Sequence, residues 1–342
     1  MYLISPEKKQ YKANLHSHST LSDGRRTPPE LKEMYKSRGY SVFAFTDHEA
    51  PCAHNDLTDE DFIAITGYEC YIRIDPSAAY KLFQKEVHLN LFARDPENET
   101  LICYNESYCK YTDKERQMAV PHAGSERPRE YSPEYINEYI RTARENGYIV
   151  AYNHPYWSLE SADEVFRYEG LFSFEMCNNN SYLINGLELN GAFYDNLLLR
   201  GCAIACHGSD DNHNKKEEGD PEFDSFGAFT MIYPEAFDYS SIISAMENGE
   251  MYSSTGPEIY EVSFDPEERI LHVECSGAEH IYVYNGGKSP YRVHRGGADA
   301  PITSADFTVS AKAPYIRISV VDEKGKKADT RGFFHRELFG EE

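Results

Sequence analysis

Basic residues are scarce in this chain of 342 residues: 34 Lys and Arg stand against 57 Asp and Glu, a formal net charge of −23. So acidic a surface repels polyphosphate backbones, and no local basic run offers a groove, so duplex nucleic acid is not an expected partner. Some of these acidic groups can also be read as neutralising bound cations. Cysteine pairing motifs are missing too, since the eight cysteines include no CxxC pair. The start MYLISPEKKQ lacks a charged stretch followed by an apolar core, so no signal peptide is expected. Buried, reduced thiols are therefore expected rather than disulfides. No apolar run approaches a membrane span, and no repeat or low-complexity tract occurs. Together these absences point to a cytoplasmic protein that stays off the membrane. The length suits one large domain and a smaller one.

What is present begins with alternating strand-like and helix-like segments over the first 250 or so residues, the mark of a parallel α/β architecture. Pro28, Pro29 and Glu30 open a helix that Gly39 stops, and Ser132-Pro133 opens another that ends before Gly147. Between Val87–Phe92 and the second helix lies an insertion, about 94–131, rich in polar, charged and Tyr residues. A segment so long reads as a lid or another functional loop. After Ser253-Ser254-Thr255-Gly256-Pro257 the pattern changes to period-two alternation in short β-branched and aromatic runs. The expected domains are 1–255 and a small antiparallel β domain at 256–342.

The ends of the apolar runs carry the chemistry. His16, His18, His48, Glu69, His88, His154, Asp211 and His213 each follow or close such a run, and Asp23 lies shortly after the first pair. About seven strands end in this way, and a closed barrel of parallel strands gathers its site at that rim. In His16-Ser17-His18 and Asp211-Asn212-His213 the alternating residues face one side of an extended chain. Glu69 can bridge two ions because a carboxylate has two oxygens. Mixed nitrogen and oxygen donors suit Zn, Mn or Fe, and so many imidazoles argue against Mg or Ca.

In order along the chain, NLHSHSTLSDG, FTDHE, GYE, VHLNLF, NHP and GSDDNH resemble the motifs of the PHP (polymerase and histidinol phosphatase) family over about residues 12–250. The C-terminal YIRISVVDEKGKKA resembles tails of its stand-alone members, which are described as metal-dependent phosphoesterases. The resemblance implies a distorted seven-stranded (β/α)7 barrel holding two to three divalent transition-metal ions. By it, His16, His18, Glu69 and Asp211 hold one ion, and Glu69 bridges to a second on His88 and His154. A third sits on His48, His213 and Asp23, where many relatives carry His instead of Asp. The implied reaction is hydrolysis of a small phosphorylated metabolite or nucleotide by a hydroxide bridging two ions.

Other residues are candidates around that centre. Glu69 and Asp211 are also counted as catalytic, with His207 as a phosphate contact or a support for a ligand. His122, in the insertion, is a candidate to protonate a leaving group if the loop folds over the site, against an ordinary solvated loop histidine. Arg25 and Arg26 are candidates for a substrate phosphate, against ordinary surface charge. Trp157 either walls the pocket or packs in the core, and Glu175 and Asn178 line the site or cap an element. Asp47 orients an imidazole or caps a helix, and Asp-x-His spacing selects Asp211 over Asp210. Rival functions are hydrolysis of an amide or carboxylic ester, and a non-catalytic metal-binding regulatory module.

Overall fold

The computed structural model describes residues 1–74, 77, 83–296 and 300–340. Residues 297–299 and 341–342 of the expected C-terminal domain lie outside this description. The first helix, Pro28–Lys36, starts where Thr27 accepts from the Glu30 amide while the Glu30 carboxylate reaches back to Thr27. It is capped at Ser37, and the chain turns away at Gly39, whose φ of +80° favours glycine. Helix Pro133–Glu145 is capped by Ser132 and buries Tyr135, Ile136, Tyr139, Ile140 and Ala143 on one face. That face packs in one apolar cluster with Tyr148, Val150 and Tyr152 of the next strand. Full burial of side chains of this size stabilises by about 1.5–3 kcal/mol each.

One large mixed sheet organises the molecule. Its path runs Ala205–Ser209, Ser173–Asn178, Tyr148–Tyr152, Glu86–Ala93, Ile63–Arg73, Tyr40–Phe45, Tyr11–Asn14, Phe229–Ile232 and Met251–Ser254. Tyr11–Asn14, Tyr40–Phe45 and Ile63–Arg73 are mutually parallel, as are Tyr148–Tyr152, Ser173–Asn178 and Ala205–Ser209. Glu86–Ala93 runs antiparallel to both of its neighbours, which corrects the expectation of parallel strands throughout. A strand buried on both faces shows the same apolar run in either direction, so its sequence does not encode polarity. The hydrogen-bonded ladders trace an open path, with no closed barrel among the described residues. Just beyond the named strands, however, Ser17 and Asn212 form a parallel bridge. The His18 amide donates to Asn212 O and the Asp211 amide to His16 O, each at 2.9 Å. The first motif and the last are thereby stitched together.

Two pairings cross residue 255. Lys327–Thr330 extends the large sheet by joining Met251–Ser254, and Tyr2–Ile4 joins the four-stranded antiparallel sheet of Ile259–Asp265, Ile270–Ala278 and Ile302–Thr308. An apolar cluster likewise runs from Tyr35, Phe43 and Phe62 to Val273, Ile281 and Ile318. The insertion has structure of its own, with strands Leu101–Ile102 and His122–Ala123 and helix Lys114–Ala119. Its Leu101, Ile102, Cys103, Cys109 and Val120 are buried in the same cluster as Tyr135 and Tyr139. The expectation of a loop or lid gives way to a packed segment. All eight cysteines are free thiols, six of them buried. Among the described residues no helix is long and apolar enough to cross a membrane.

Candidate metal centre

The histidine pair is aimed by the residue between its members. The Ser17 hydroxyl donates to Ala44 O at 2.6 Å and its amide to Thr46 Oγ1 at 2.9 Å. His16 and His18 are left on the opposite side, fully buried. Asp23 reaches them through the following turn. A Cβ at Gly24 would lie 2.1 Å from His18 O, so only glycine allows this close return. Asp47 fixes the same loop by accepting from the Ser19 amide and from the Ser19 and Ser22 hydroxyls. Its role is to hold the loop, and it caps no helix.

Glu69 sits within the long strand Ile63–Arg73, and His88 lies on the antiparallel neighbour, opposite Tyr71 and diagonal to Glu69. His154 and Asp211 follow strands at φ of +21° and +53°, sparsely populated values for non-glycine residues. Surrounding bonds hold such backbones, and strain of this kind clusters at functional sites.

Glu69 is the hub. Its Oε1 lies 2.9 Å from His88 Nδ1, 3.2 Å from His16 Nε2 and 3.3 Å from His154 Nε2, and its Oε2 lies 2.9 Å from His48 Nδ1. Asp211 Oδ1 is 3.2 Å from His16 Nε2 and 2.9 Å from His18 Nε2. Asp23 Oδ1 is 3.3 Å from His213 Nε2 and 3.8 Å from His48 Nε2. The donor atoms fall into four overlapping groups: His18, Asp23, His48 and His213; His16, His18 and Glu69; His16, His154 and Asp211; and Glu69, His88 and His154.

The spacing suits cations. Two atoms each about 2.1 Å from one ion, at tetrahedral or octahedral angles, stand about 3.0–3.4 Å apart. His16 Nε2 has two carboxylate oxygens at 3.2 Å, yet it is buried without a hydrogen bond. Asp23 Oδ1 and His48 Nδ1 are orphaned in the same way. Buried polar atoms are rarely left so, and here they face common points that divalent ions would fill.

Electrostatics agree. Burial opposes charge on His16, but Asp211, Glu69 and Glu175 outweigh it and hold the imidazole well above its ordinary value. His88 is likewise pushed up to about 10 by Glu69 and Glu86 against its burial. His18 goes the other way, lowered to about 3 by burial and by His48 and His213. Glu69 is held well below the carboxylate range, because His88, His16 and His48 prevail over its burial. Protonated and neutral imidazoles are thus forced together around shared carboxylates. Divalent ions relieve both demands by replacing the protons.

The remaining candidates divide. Glu175 is fully buried beneath the centre, with Oε1 3.1 Å from His16 Nδ1 and Oε2 accepting the His154 amide at 2.9 Å. It holds His16 and the His154 backbone from behind and, being fully buried, has no face for a substrate. Asn178 bridges Glu175 Oε2 and Asp211 Oδ2 at 3.0 and 3.1 Å and caps helix Asn179–Asn185. His207 is buried with Nδ1 on Ser173 Oγ at 2.7 Å, below the ligands rather than among them. His122 stacks on Tyr104 and shares its Nε2 with Gln117 O, so it is not brought to the ligands. Arg26 pairs with Glu217, and the exposed Arg25 touches the site through its amide, which donates to His213 O. Asp210 accepts the amides of Phe226, Gly227 and Ala228 and the Tyr35 hydroxyl, away from the ligand groups.

Trp157 is 42% exposed and edge-on to His154. It lines a cleft of about 270 Å³ over Glu69, His88 and His213, together with Asn180, Ile184 and Lys215. Sequence reasoning passed over several neighbours. Asn153 donates to Glu69 Oε1 at 2.9 Å, Lys215 Nζ lies 3.5 Å from Asp23 Oδ2, and Tyr111 stacks on His48. Asn153 directly precedes His154 and Lys215 follows His213 by two residues, a signal that was available. Tyr111 had none.

No protein-family model and no curated protein matches the chain. Solved structures do. One is a two-domain protein containing a predicted PHP-like metal-dependent phosphoesterase from Bacteroides vulgatus ATCC 8482, 13% identical with a TM-score of 0.44 over 97% of this chain and 98% of that one. Another is provisionally named a metal-dependent phosphoesterase, from Bifidobacterium adolescentis ATCC 15703, 17% identical with a TM-score of 0.39 over 62% of this chain and 91% of that one. A third is an amidohydrolase from Chromobacterium violaceum with bound sulfate and no metal, 14% identical with a TM-score of 0.39 over 59% of this chain and 87% of that one. The chain is similar, at 13–17% identity, to solved structures named as PHP-like or metal-dependent phosphoesterases.

Proposed function

We propose that this protein is a metal-dependent phosphoesterase of the PHP type, acting on a small phosphorylated metabolite or nucleotide. One observation carries the reading: nine side chains converge in four overlapping groups with ligand spacing, sharing Glu69, His16, His18 and His154. His16, His18, Glu69 and Asp211 would hold one ion, Glu69, His88 and His154 a second, and Asp23, His48 and His213 a third. Zn, Mn or Fe suits this donor set. Such ions supply an activated water and positive charge against the phosphoryl oxygens.

The chain's own residues do the rest. Glu175 and Asn178 orient His16 and Asp211 from beneath. Asn153 donates to Glu69 and fixes the rotation of its carboxylate. Among the residues lining the cleft, Lys215 is the one Lys or Arg, suited to a single phosphoryl group. Trp157 and Ile184 offer an apolar wall for the remainder of the substrate. The Ser17–Asn212 bridge supports the further reading that the strands bearing the ligands form a distorted (β/α)7 barrel at 1–255. The β-rich residues 256–342 are then an appended small domain.

The test is a phosphate-release panel of monoesters, diesters and nucleotides, run with metal-analysed protein beside amide and carboxylic-ester substrates. The expected result is phosphate release that EDTA abolishes and Mn²⁺ or Zn²⁺ restores. Ester or amide cleavage with no phosphate release would overturn the phosphoesterase assignment while keeping the metal centre.

A further inference from the structure

The end of the insertion reaches two buried carboxylates, each set beside a turn that carries a proposed metal ligand. Arg129 grips Glu49 with both terminal nitrogens, Nη2 standing 2.8 Å from Oε2, and both side chains are wholly buried. Its Nη1 also donates to Tyr71 O at 2.8 Å, and the guanidinium lies over the rings of Tyr108 and Tyr139. Glu49 directly follows His48. Its φ of +49° is strained for a non-glycine residue, and its amide donates to Glu69 O at 2.9 Å. The Tyr71 amide in turn donates to Glu49 Oε1. Glycine would relieve the backbone at position 49 but would lose the carboxylate that Arg129 holds.

Two residues further on, the Tyr131 hydroxyl donates to Glu160 Oε1 at 2.6 Å. Glu160 also accepts the hydroxyls of Tyr152 and Tyr168. It closes the turn that begins at His154, where the Ser158 amide donates to His154 O and the Glu160 amide to Pro155 O. A third contact comes from Tyr111 of the same insertion, stacked on the His48 ring.

We propose that residues 94–131 brace the metal centre: Arg129 fixes the His48 turn through Glu49, and Tyr131 fixes the His154 turn through Glu160. Both act as positioning residues, since neither touches a ligand atom. The two arms serve different ligand groups, His48 with His18, Asp23 and His213, and His154 with Glu69 and His88 and also with His16 and Asp211. The physical basis is that partners behind the ligands hold them in binding geometry, and their loss weakens metal affinity by about 10- to 100-fold. A brace that served folding alone would not distinguish one ion from another. The inference rests on the metal-centre reading above.

Zn²⁺ or Mn²⁺ titration of the full chain, followed by equilibrium dialysis and anomalous diffraction to locate each ion, tests it. Arg129→Met should weaken the ion at Asp23, His48 and His213 about 10- to 100-fold and leave the others near their original affinity. Arg129→Lys keeps the charge but loses the two-pronged grip, so it should fall between. Tyr131→Phe, which removes one hydroxyl, should instead weaken the ion at His88 and His154. If Arg129→Met does not fold, the other two variants carry the test. Wild-type affinities in the folded variants, or equal weakening of every ion, would overturn the brace. An unsubstituted protein that binds no ion would overturn the metal-centre reading, and the brace with it.

Discussion

Glu69 concentrates the account at a single residue. Four imidazole nitrogens lie within 3.3 Å of its two oxygens, and Asn153 holds one of those oxygens from the side. Glu69→Gln keeps the shape but removes the charge and one acceptor, so the protein should lose at least one bound ion. Any hydrolysis arising at this centre should fall by about 100-fold or more, read by metal analysis beside kinetics. Titration gives a second check on His88, pushed up to about 10 by Glu69 and Glu86 against its burial. A raised imidazole contributes stability that is complete below its unfolded value near 6.5 and lost as pH rises through about 10. The melting temperature of metal-free protein should therefore fall from pH 7 to 10. Metal binding at neutral pH should displace the His88 proton, so calorimetry in buffers of different ionisation enthalpy should show proton release. An enthalpy independent of buffer would contradict that protonation state.

At the scale of elements, the site depends on two strands approaching without a side chain between them. A Cβ at Gly67 would stand 2.4 Å from Leu91 O, so Gly67→Ala must push Ile63–Arg73 away from Glu86–Ala93. The expected cost is about 1–3 kcal/mol by denaturant titration, accompanied by weaker metal binding as Glu69 and His88 separate. An unchanged midpoint would mean that the two strands tolerate the shift. Whereas Glu69 and His88 lie within their strands, the candidate ligands at His16, His18, Asp211 and His213 were legible as HxH-type spacing beside strand ends, a local pattern. Helix Pro133–Glu145 was legible for the same reason, its cap and stop being adjacent to it. The direction of Glu86–Ala93 was not, since alternation looks alike in both senses. Nor was the pairing of Arg129 with Glu49, which lie 80 residues apart. Nor was the meeting of Tyr131, Tyr152 and Tyr168 on Glu160. Long-range polar partnerships of this kind leave no periodic trace.

For the whole molecule, the net charge of −23 takes on a specific meaning around the cluster. Glu69, Glu175 and Asp211 are buried within a few ångströms of one another's partners, an arrangement that favours the ion-loaded protein over the empty one. Ions that bind the folded chain and not the unfolded one stabilise it by mass action, about 2.7 kcal/mol at a hundredfold excess over Kd. Removing them with EDTA should lower the melting temperature by several degrees, and adding Mn²⁺ or Zn²⁺ should restore it. The apolar cluster shared between Phe43 and Ile318 links the C-terminal strands to the ligand-bearing sheet. The two regions should therefore melt in one transition when followed by calorimetry, and two resolved transitions would show that they unfold independently.

The central claim is that the chain holds more than one divalent ion at a shared carboxylate. Elemental analysis of protein purified without chelators addresses it most directly, repeated on Glu69→Gln and normalised to chain concentration. The account predicts about two to three Zn, Mn or Fe ions per chain in the unsubstituted protein and a clear loss in the variant. Fewer than about one ion per chain after exposure to these metals, or a content unaffected by Glu69→Gln, would contradict it.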